Sequence, residues 1–239
     1  MNKLKKQINE KEYNNEFSYK LLAFENHFKN IYKACSYSFE KGCGSYLFDG
    51  QKYEYQIETY QKQKILYEKA KNKENILEIG TYMGHSLLII LMANPSINIT
   101  CIDINDKYSL PSVRYLQREF PDSNINFIKS DSLKVLKDLK EKYDLIHIDG
   151  AHNNKIVTKE FYYCMNLIKE KNAEFIFDDR ENISILIKNI IETFFIKDSV
   201  SPKCIYSNLY LNIIFSENKF IYRNKKLNFI FKNNSSYIF

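Results

Sequence analysis

The chain has 239 residues, of which 44% are hydrophobic, so it can bury one sizeable core but would be crowded as two full-sized domains. No stretch reaches the roughly 20 apolar residues of a membrane-spanning helix, and the start of the sequence lacks the pattern of a secretory signal, which predicts a cytoplasmic protein. The net charge of +6 comes from lysines scattered among acids, which argues against a nucleic-acid partner, and the five cysteines contain no CxxC pair, which argues against a zinc site.

The first third of the sequence is predicted to be helical. Apolar residues from Leu21 to Tyr32 recur at helical spacing, and a second, more polar helix is expected from Tyr53 to Lys71. A glycine-containing segment from Lys41 to Gly50 separates them. We expect residues 1–74 to form a helical cap on the domain that follows, with residues 45–55 closing over its ligand site.

From Asn75 onward, short apolar runs alternate with helical segments. Strands are predicted at 75–80, 98–104, 125–130, 143–149 and 173–179, and helices near 85–94, 110–120, 132–142, 154–171 and 181–195. Strands that are apolar nearly throughout and alternate with helices are typical of a parallel sheet covered on both faces. The pattern predicts an α/β, Rossmann-like, doubly wound, mostly parallel sheet of seven strands, which binds ligands at the carboxyl ends of its strands.

The pattern changes after residue 200. The runs KCIYSN, LYLNIIFS and KFIYR leave no room for helices between them, which predicts an antiparallel C-terminal hairpin at the edge of the sheet. We therefore place the core of the domain at residues 75–216 and a C-terminal extension at 217–239. The alternating aromatic residues of this extension are compatible with further edge strands or with contact to another subunit in a homo-oligomer.

The first predicted strand ends in ILEIGTYMGHS, an E-x-G-x-x-x-G pattern formed by Glu78, Gly80 and Gly84. A glycine turn that opens a helix presents bare backbone N–H groups and the positive helix end to a ligand. Tyr82 stands where a dinucleotide-binding turn has its second glycine, which disfavours an NAD-linked oxidoreductase. Asp103 ends the next strand, where an acid can accept hydrogen bonds from ribose hydroxyls.

The runs LEIGTYMGHS, CIDIN, SDS, HIDGAH and IFDD, in this order, resemble the class I S-adenosylmethionine (SAM)-dependent methyltransferases, and within them the metal-dependent O-methyltransferases. The resemblance covers roughly Asn75 to Phe215. It implies that the glycine turn holds the methionine part of SAM, that Asp103 holds the ribose, and that Asp131 and Ser132 lie beside the adenine. The cofactor-binding residues it implies are Glu78, Gly80, Thr81, Gly84, Ser86, Asp103, Ile104, Asp131, Ser132 and Asp149. The alternative is that these acids merely cap strands and helices.

The same resemblance implies a metal site formed by Asp149, Asp178 and Asp179 at the ends of the fourth and fifth strands. Three carboxylates that converge without an opposing arginine repel one another, and a hard divalent ion relieves the repulsion. Oxygen ligands of this kind favour Mg²⁺ or Mn²⁺. If no metal binds, Asp179 is expected to act as the N-cap of the helix at 181–195.

His152 follows Asp149 by three residues in YDLIHIDGAHNNK. Catechol-type and caffeoyl-type relatives typically carry a lysine base at this position, whereas the D-x-x-H arrangement resembles the branch that methylates sugar hydroxyls in macrolides. We interpret His152, with Asp149, as the group that removes the proton from the acceptor hydroxyl. The alternative is a solvated loop histidine. His147 is expected to be a core residue, and His85 either packs or touches the ligand.

The sequence therefore predicts a metal-dependent SAM O-methyltransferase that acts on a small hydroxylated acceptor, with a sugar or glycosylated metabolite favoured. Two alternatives stay open: a phenolic or catechol-type O-methyltransferase, and a SAM-binding module without transfer activity. RNA and DNA are disfavoured as acceptors, because neither the N/D-P-P-Y/F run nor the Lys-Asp-Lys-Glu set of nucleic-acid methyltransferases is present at the strand ends.

Overall fold

A computed structural model describes residues 2–35, 59–169 and 173–178, together with the backbone of strands at 204–207, 210–213, 220–222 and 225–231. Several predicted features lie outside these residues: the glycine-containing segment at 41–50, the covering loop at 45–55, the first residues of the predicted helix at 53–71, Asp179, and the helix at 181–195. None of the described helices is long and apolar enough to cross a membrane.

Helices come first in the described chain, followed by alternating strands and helices. The leading helices are α1 (Asn2–Gln7), α2 (Glu16–Ala23), α3 (Glu25–Ala34) and α4 (Tyr60–Ala70). The alternating part contains β1 (Asn75–Ile79), α5 (His85–Ala93), β2 (Asn98–Asp103), α6 (Asp106–Glu119), β3 (Asn124–Lys129), α7 (Ser132–Val135), β4 (Leu145–Ile148), α8 (Asn154–Cys164) and β5 (Ala173–Phe177).

The five strands β1 to β5 form a parallel sheet in the order β3-β2-β1-β4-β5. In its register, Ile79 lies beside both Ile102 and Ile148, and Ile148 lies beside Phe177. The residues that follow these strand ends, or end them, share one edge of the sheet: Gly80, Asp103, Asp149 and Asp178. The predicted α/β, Rossmann-like fold with a parallel sheet is confirmed.

Apolar side chains alternate between the two faces of the sheet. One face carries Ile76, Ile99, Leu145 and Ile176, and the other carries Leu77, Ile102, Ile146 and Phe175. On the first face, α5 is buried from His85 to Met92, as expected for a helix that is apolar all round. Phe17 of α2, Phe28 of α3 and Tyr67 of α4 belong to this same core cluster. The leading helices are thus packed into the core that covers the sheet.

Two predicted helices are shorter in the structure. The helix predicted at 132–142 ends as α7 at Val135, and residues 136–138 continue as turns that still bury the side chain of Leu136. The helix predicted at 154–171 ends as α8 at Cys164. The chain then turns, and Ile168 forms a parallel bridge with Tyr143, which adds to the sheet instead of the helix.

The described backbone beyond residue 200 differs from the prediction for the sheet edge. Strands β6 (Cys204–Ser207) and β7 (Tyr210–Ile213) pair antiparallel in a separate two-stranded sheet. The strand beside β5 is instead β9 (Lys225–Phe231), which runs parallel to it and pairs with β8 (Phe220–Tyr222). Of the three runs predicted for the edge hairpin, KCIYSN and LYLNIIFS therefore pair away from the main sheet, whereas KFIYR contains β8, which lies on it. Adjacency in sequence pairs two strands without deciding which strand takes the edge.

Gly80 is expected to be the least replaceable residue of the first turn. Its φ is +87°, and a Cβ added to it would lie 2.2 Å from the backbone oxygen of Asp149. We expect Gly80→Ala to lower the free energy of unfolding by about 3 kcal/mol or more, through combined strain and collision. Denaturant titration measures this loss. Gly150→Ala is the matched control, because its nearest contact is the Ile79 side chain at 3.2 Å; equal losses in the two variants would contradict the explanation.

Candidate active site

A cavity of about 790 Å³ opens at the edge of the sheet where the parallel strands end. The predicted site residues that line it are Gly80, Thr81, Ser86, Asp103, Ile104, Asp131, Ser132, Asp149 and His152. The cavity is also lined by residues that the sequence did not single out, notably Thr59, Lys62, Ile156 and Glu160. Most of the residues predicted from the strand ends thus meet at one place.

Asp103 holds the glycine turn in its conformation. One carboxylate oxygen accepts hydrogen bonds from the backbone N–H groups of Thr81 at 3.0 Å and Tyr82 at 2.7 Å, and the other accepts from Asn105 at 2.9 Å. Tyr82 has a φ of +44°, which is unfavourable for a bulky residue and is stabilised by these bonds. A carboxylate has about four lone-pair sites, so Asp103 retains acceptor capacity toward the cavity.

Two residues of the predicted cofactor set are not among the cavity-lining residues. Glu78 is fully buried within β1, where its carboxylate lies 3.5 Å from the ring of His147. Gly84 begins α5, and a Cβ there would lie 3.1 Å from the side chain of Ser112 in α6. Glu78 therefore lies beside His147 inside the protein and away from the cavity, and Gly84 allows two helices to approach closely.

Two polar residues follow the end of β3, and two isoleucines from other elements lie in the same part of the cavity. Asp131 caps α7 by accepting from the N–H of Leu133, and Ser132 donates a 2.5 Å hydrogen bond to a carboxylate oxygen of Glu160. Burial raises the pKa of Glu160, and this effect outweighs the bond from Ser132; its other oxygen has no hydrogen-bond partner among the described residues. The exposed side chains of Ile104 and Ile156 also line this part of the cavity.

Glu160 was not predicted, although the spacing of residues in α8 could have indicated it. Ile156 and Glu160 are four residues apart in α8, which places them on the same face of the helix. Asn153 caps that helix by accepting from two backbone N–H groups. Once Asp149 is placed at the rim, this cap fixes where α8 begins and hence which of its residues face the cavity.

An acidic cluster with one histidine lies next to the cavity. Donor atoms of His147, Asp149 and Asp178 all lie within 4.8 Å of one another, so these residues could hold a metal ion. The structure thus brings Asp149 and Asp178 together as predicted, while Asp179 lies outside the described residues. His147 is fully buried, as expected for a core histidine, but it also contributes to the cluster. A mixed nitrogen and oxygen donor set suits Mn²⁺ or another first-row ion better than Mg²⁺.

The prediction of carboxylates without an opposing arginine did not consider lysine, and a lysine lies at this cluster. Lys62 of α4 is buried and forms an ion pair with Asp178, whose side chain is 1% exposed. Burial of both partners makes this a strong local charge interaction, because little water screens it. Lys62 lies far from Asp178 in sequence, on a helix with no motif, and no sequence signal pointed to it.

The two remaining histidines of interest differ in exposure. His152 is exposed and lines the cavity immediately before the cap of α8, which is compatible with a proton acceptor and with a loop histidine alike. His85 is buried, and its ring meets that of Phe28 edge-on at 5.5 Å. Burial lowers the pKa of His85 to about 3, so its imidazole is neutral at ordinary pH. His85 therefore packs against Phe28 and is also one of the residues that line the cavity, so both interpretations of it stay open.

Comparison with known proteins finds a family model that matches the part of the chain containing this site. Residues 77–180 match the family model described as a methyltransferase domain. The predicted resemblance to methyltransferases is confirmed. The matched segment runs from β1 to just beyond β5, so it contains the glycine turn, Asp103 and the acidic cluster.

Individual relatives match this methyltransferase region over part of their length. An Arabidopsis thaliana protein, tapetum-specific methyltransferase 1, is 31% identical over 106 residues, which cover 42% of this chain and 43% of that protein. A second Arabidopsis protein, named for caffeoyl-CoA O-methyltransferase, is 39% identical over 92 residues, which cover 37% and 40%. The chain thus spans about two fifths of the length of these curated relatives.

A solved structure shares the fold. The O-methyltransferase from Bacillus cereus in complex with SAH aligns with a TM-score of 0.52 at 15% identity, over 76% of this chain and 84% of that one. At this level of identity the likeness establishes the common architecture.

His85 is predicted to make the protein acid-sensitive. Its pKa is lower in the folded chain than the ordinary 6.5, so the stabilisation it contributes is complete above pH 6.5 and is lost as the pH falls toward 3. Between pH 7 and pH 4.5 we expect wild type to lose about 2 kcal/mol more unfolding free energy than His85→Leu. Denaturant titrations at the two pH values measure the difference, and parallel losses would contradict a buried neutral histidine.

Proposed function

We propose that this protein is a SAM-dependent O-methyltransferase that transfers a methyl group to a hydroxyl of a small acceptor. The observation that carries the proposal is the single cavity where the glycine turn, Asp103 and the acid at the end of β4 meet. The methyltransferase family match supports the reaction class, and the names of the relatives support oxygen as the methyl acceptor. The Bacillus cereus structure, which has the same fold, contains SAH.

The cavity has a suitable partner for each part of SAM. The methionine carboxylate would lie at the N-terminus of α5, near Ser86, where unpaired N–H groups and the helix dipole favour an anion. The ribose hydroxyls would donate to the remaining lone pairs of Asp103. The adenine would lie beside Asp131 and Ser132, with the apolar side chain of Ile104 against the ring.

Methyl transfer to oxygen needs a deprotonated or polarised hydroxyl. The acceptor oxygen attacks the methyl carbon in line, the new O–C bond forms, and the sulfur keeps the electron pair of the broken S–C bond. His152 would take the hydroxyl proton on its imidazole, with Asp149 stabilising the imidazolium. A divalent ion held by Asp149, Asp178 and Asp179, with His147 close by, would lower the pKa of the acceptor hydroxyl.

For the acceptor, we favour a sugar or glycosylated metabolite. The support is His152 at the position where the phenolic branch keeps a lysine. The second candidate is a phenolic acceptor, which the name of the caffeoyl-CoA relative favours. We further propose that residues 1–74 cap the domain, that 75–216 contain its core, and that 217–239 form an extension. In this proposal the extension supplies β9 and β8 as the antiparallel hairpin that completes a seven-stranded sheet.

Cofactor binding is tested with SAH and two matched aspartate variants. Asp103→Asn removes the negative charge and one of the two acceptor oxygens of this side chain, and we expect the SAH affinity measured by calorimetry to fall at least about tenfold. Asp106→Asn, which alters an acid paired with Lys129 outside the cavity, is expected to leave the affinity within about twofold. Wild-type protein that does not bind SAH would overturn the proposed function.

Transfer chemistry is tested by methylation of a panel of sugar nucleotides and catechols. We expect His152→Ala to slow methyl transfer by about 10² to 10⁴-fold while SAH affinity stays unchanged, because the base acts on the acceptor and not on the cofactor. Chelation of divalent ions is expected to reduce the rate as well. Activity that survives chelation undiminished, together with a harmless Asp149→Ala, would sink the metal-dependent form of the proposal.

A further inference from the structure

Lys62 connects the helical N-terminal part of the chain to the acidic cluster. Its side chain is 10% exposed and pairs with Asp178, which immediately follows β5. Asp178 is itself fixed in place, since its backbone N–H donates to the carbonyl of Ile148 at 2.9 Å. The cation therefore contacts a member of the group formed by His147, Asp149 and Asp178.

Among the described residues, ion pairs connect α4 and β5 near both ends of the strand. At the other end of the strand, Glu174 pairs with Lys69 at 3.2 Å and with Lys73, just after α4, at 3.4 Å. Because α4 is attached to β5 at both ends, Lys62 is held over the cluster by its helix. Its position does not depend on the chance orientation of a solvated side chain.

The ammonium of Lys62 and a divalent ion would both bind the carboxylate of Asp178. Both need a carboxylate oxygen of Asp178, and a charged ammonium cannot itself be a ligand, because it has no lone pair. In a poorly hydrated site the two cations also repel each other. An ion that takes Asp178 therefore weakens the ion pair between that carboxylate and the buried Lys62, which costs free energy unless the side chain moves away.

We propose that Lys62 competes with the divalent ion for Asp178, so that metal binding requires release of the α4 lysine. This inference rests on the metal site of the proposed function and goes beyond it. Lys62 is a positioning residue here: it holds Asp178 while no metal is bound and lowers the affinity of the site for a metal. Metal binding at the cluster and the contact between α4 and Asp178 are thereby coupled.

The test is Mn²⁺ binding, measured by calorimetry and by electron paramagnetic resonance without substrate. We expect Lys62→Met to bind Mn²⁺ at least about tenfold more tightly than wild type, and Lys62→Arg, which keeps the charge, to stay within about threefold of it. Lys64→Met is the matched control, because it removes the same charge from α4 at a residue that does not line the cavity. It is expected to bind like wild type.

A second measurement uses wild type alone and does not depend on whether the variants fold. A buried, paired lysine reacts slowly with acetic anhydride, so labelling of Lys62, read by mass spectrometry, is expected to increase when Mn²⁺ is added. Labelling of Lys64 is expected to stay constant.

The outcomes separate this inference from the proposed function. Equal or weaker Mn²⁺ binding by Lys62→Met, or unchanged labelling of Lys62 at saturating Mn²⁺, means that Asp178 serves both cations at once and overturns the competition. The metal site then stands. If neither wild type nor Lys62→Met binds Mn²⁺, the inference and the metal requirement both fail, whereas SAH binding still decides the cofactor part.

Discussion

The close approach of β1 and β4 is the constraint on which the site depends. Gly80 lies directly over the backbone of Asp149, with no space for even one additional carbon atom. The amide of Gly80 donates to Ile102 on one side, and the amide of Asp149 donates to Ile79 on the other, so three strand ends are connected by backbone bonds. The glycine turn and the end of β4 at Asp149 therefore cannot move independently. This rigidity suits a reaction that needs two reactants aligned.

The polar groups of the site have a structural role before any ligand arrives. Asp103 organises the turn that it also faces, and Asn153 sets the start of the helix that carries Glu160. These bonds satisfy backbone N–H groups at a turn and at a helix start, so each one removes a conformational alternative. A binding surface preorganised in this way loses less entropy when a ligand binds.

Much of the fold could be predicted from local pattern alone. Apolar runs closed by Gly80, Asp103 and Asp149 indicate parallel strands, and parallel strands bring their carboxyl ends to one edge whatever the loops between them do. The acids of the rim were found for this reason. The burial of Glu78 was not predicted, because the motif gives the position of a residue along the strand but not the face on which its side chain lies.

Contacts between distant elements could not be predicted in the same way. Lys62 reaches Asp178 from a helix whose placement depends on how Phe17 and Tyr67 pack, and no spacing rule encodes that. The sequence therefore predicted a cluster of acids alone, where the structure has acids with an internal cation. Likewise, the partner of β5 at the sheet edge depends on a choice among several similar C-terminal strands.

The strands end side by side in the sheet, and this alignment restricts where residues can be inserted into the chain. A one-residue insertion within β1, β2 or β4 would move its terminal acid or glycine to the opposite face and away from the rim. Insertions in the connections at the amino ends of the strands would leave the rim untouched. Changes of length are therefore compatible with the site on the side of the sheet remote from the cavity and in the leading helices. A new acceptor preference would arise through changes in the leading helices, while the strand ends stay as they are.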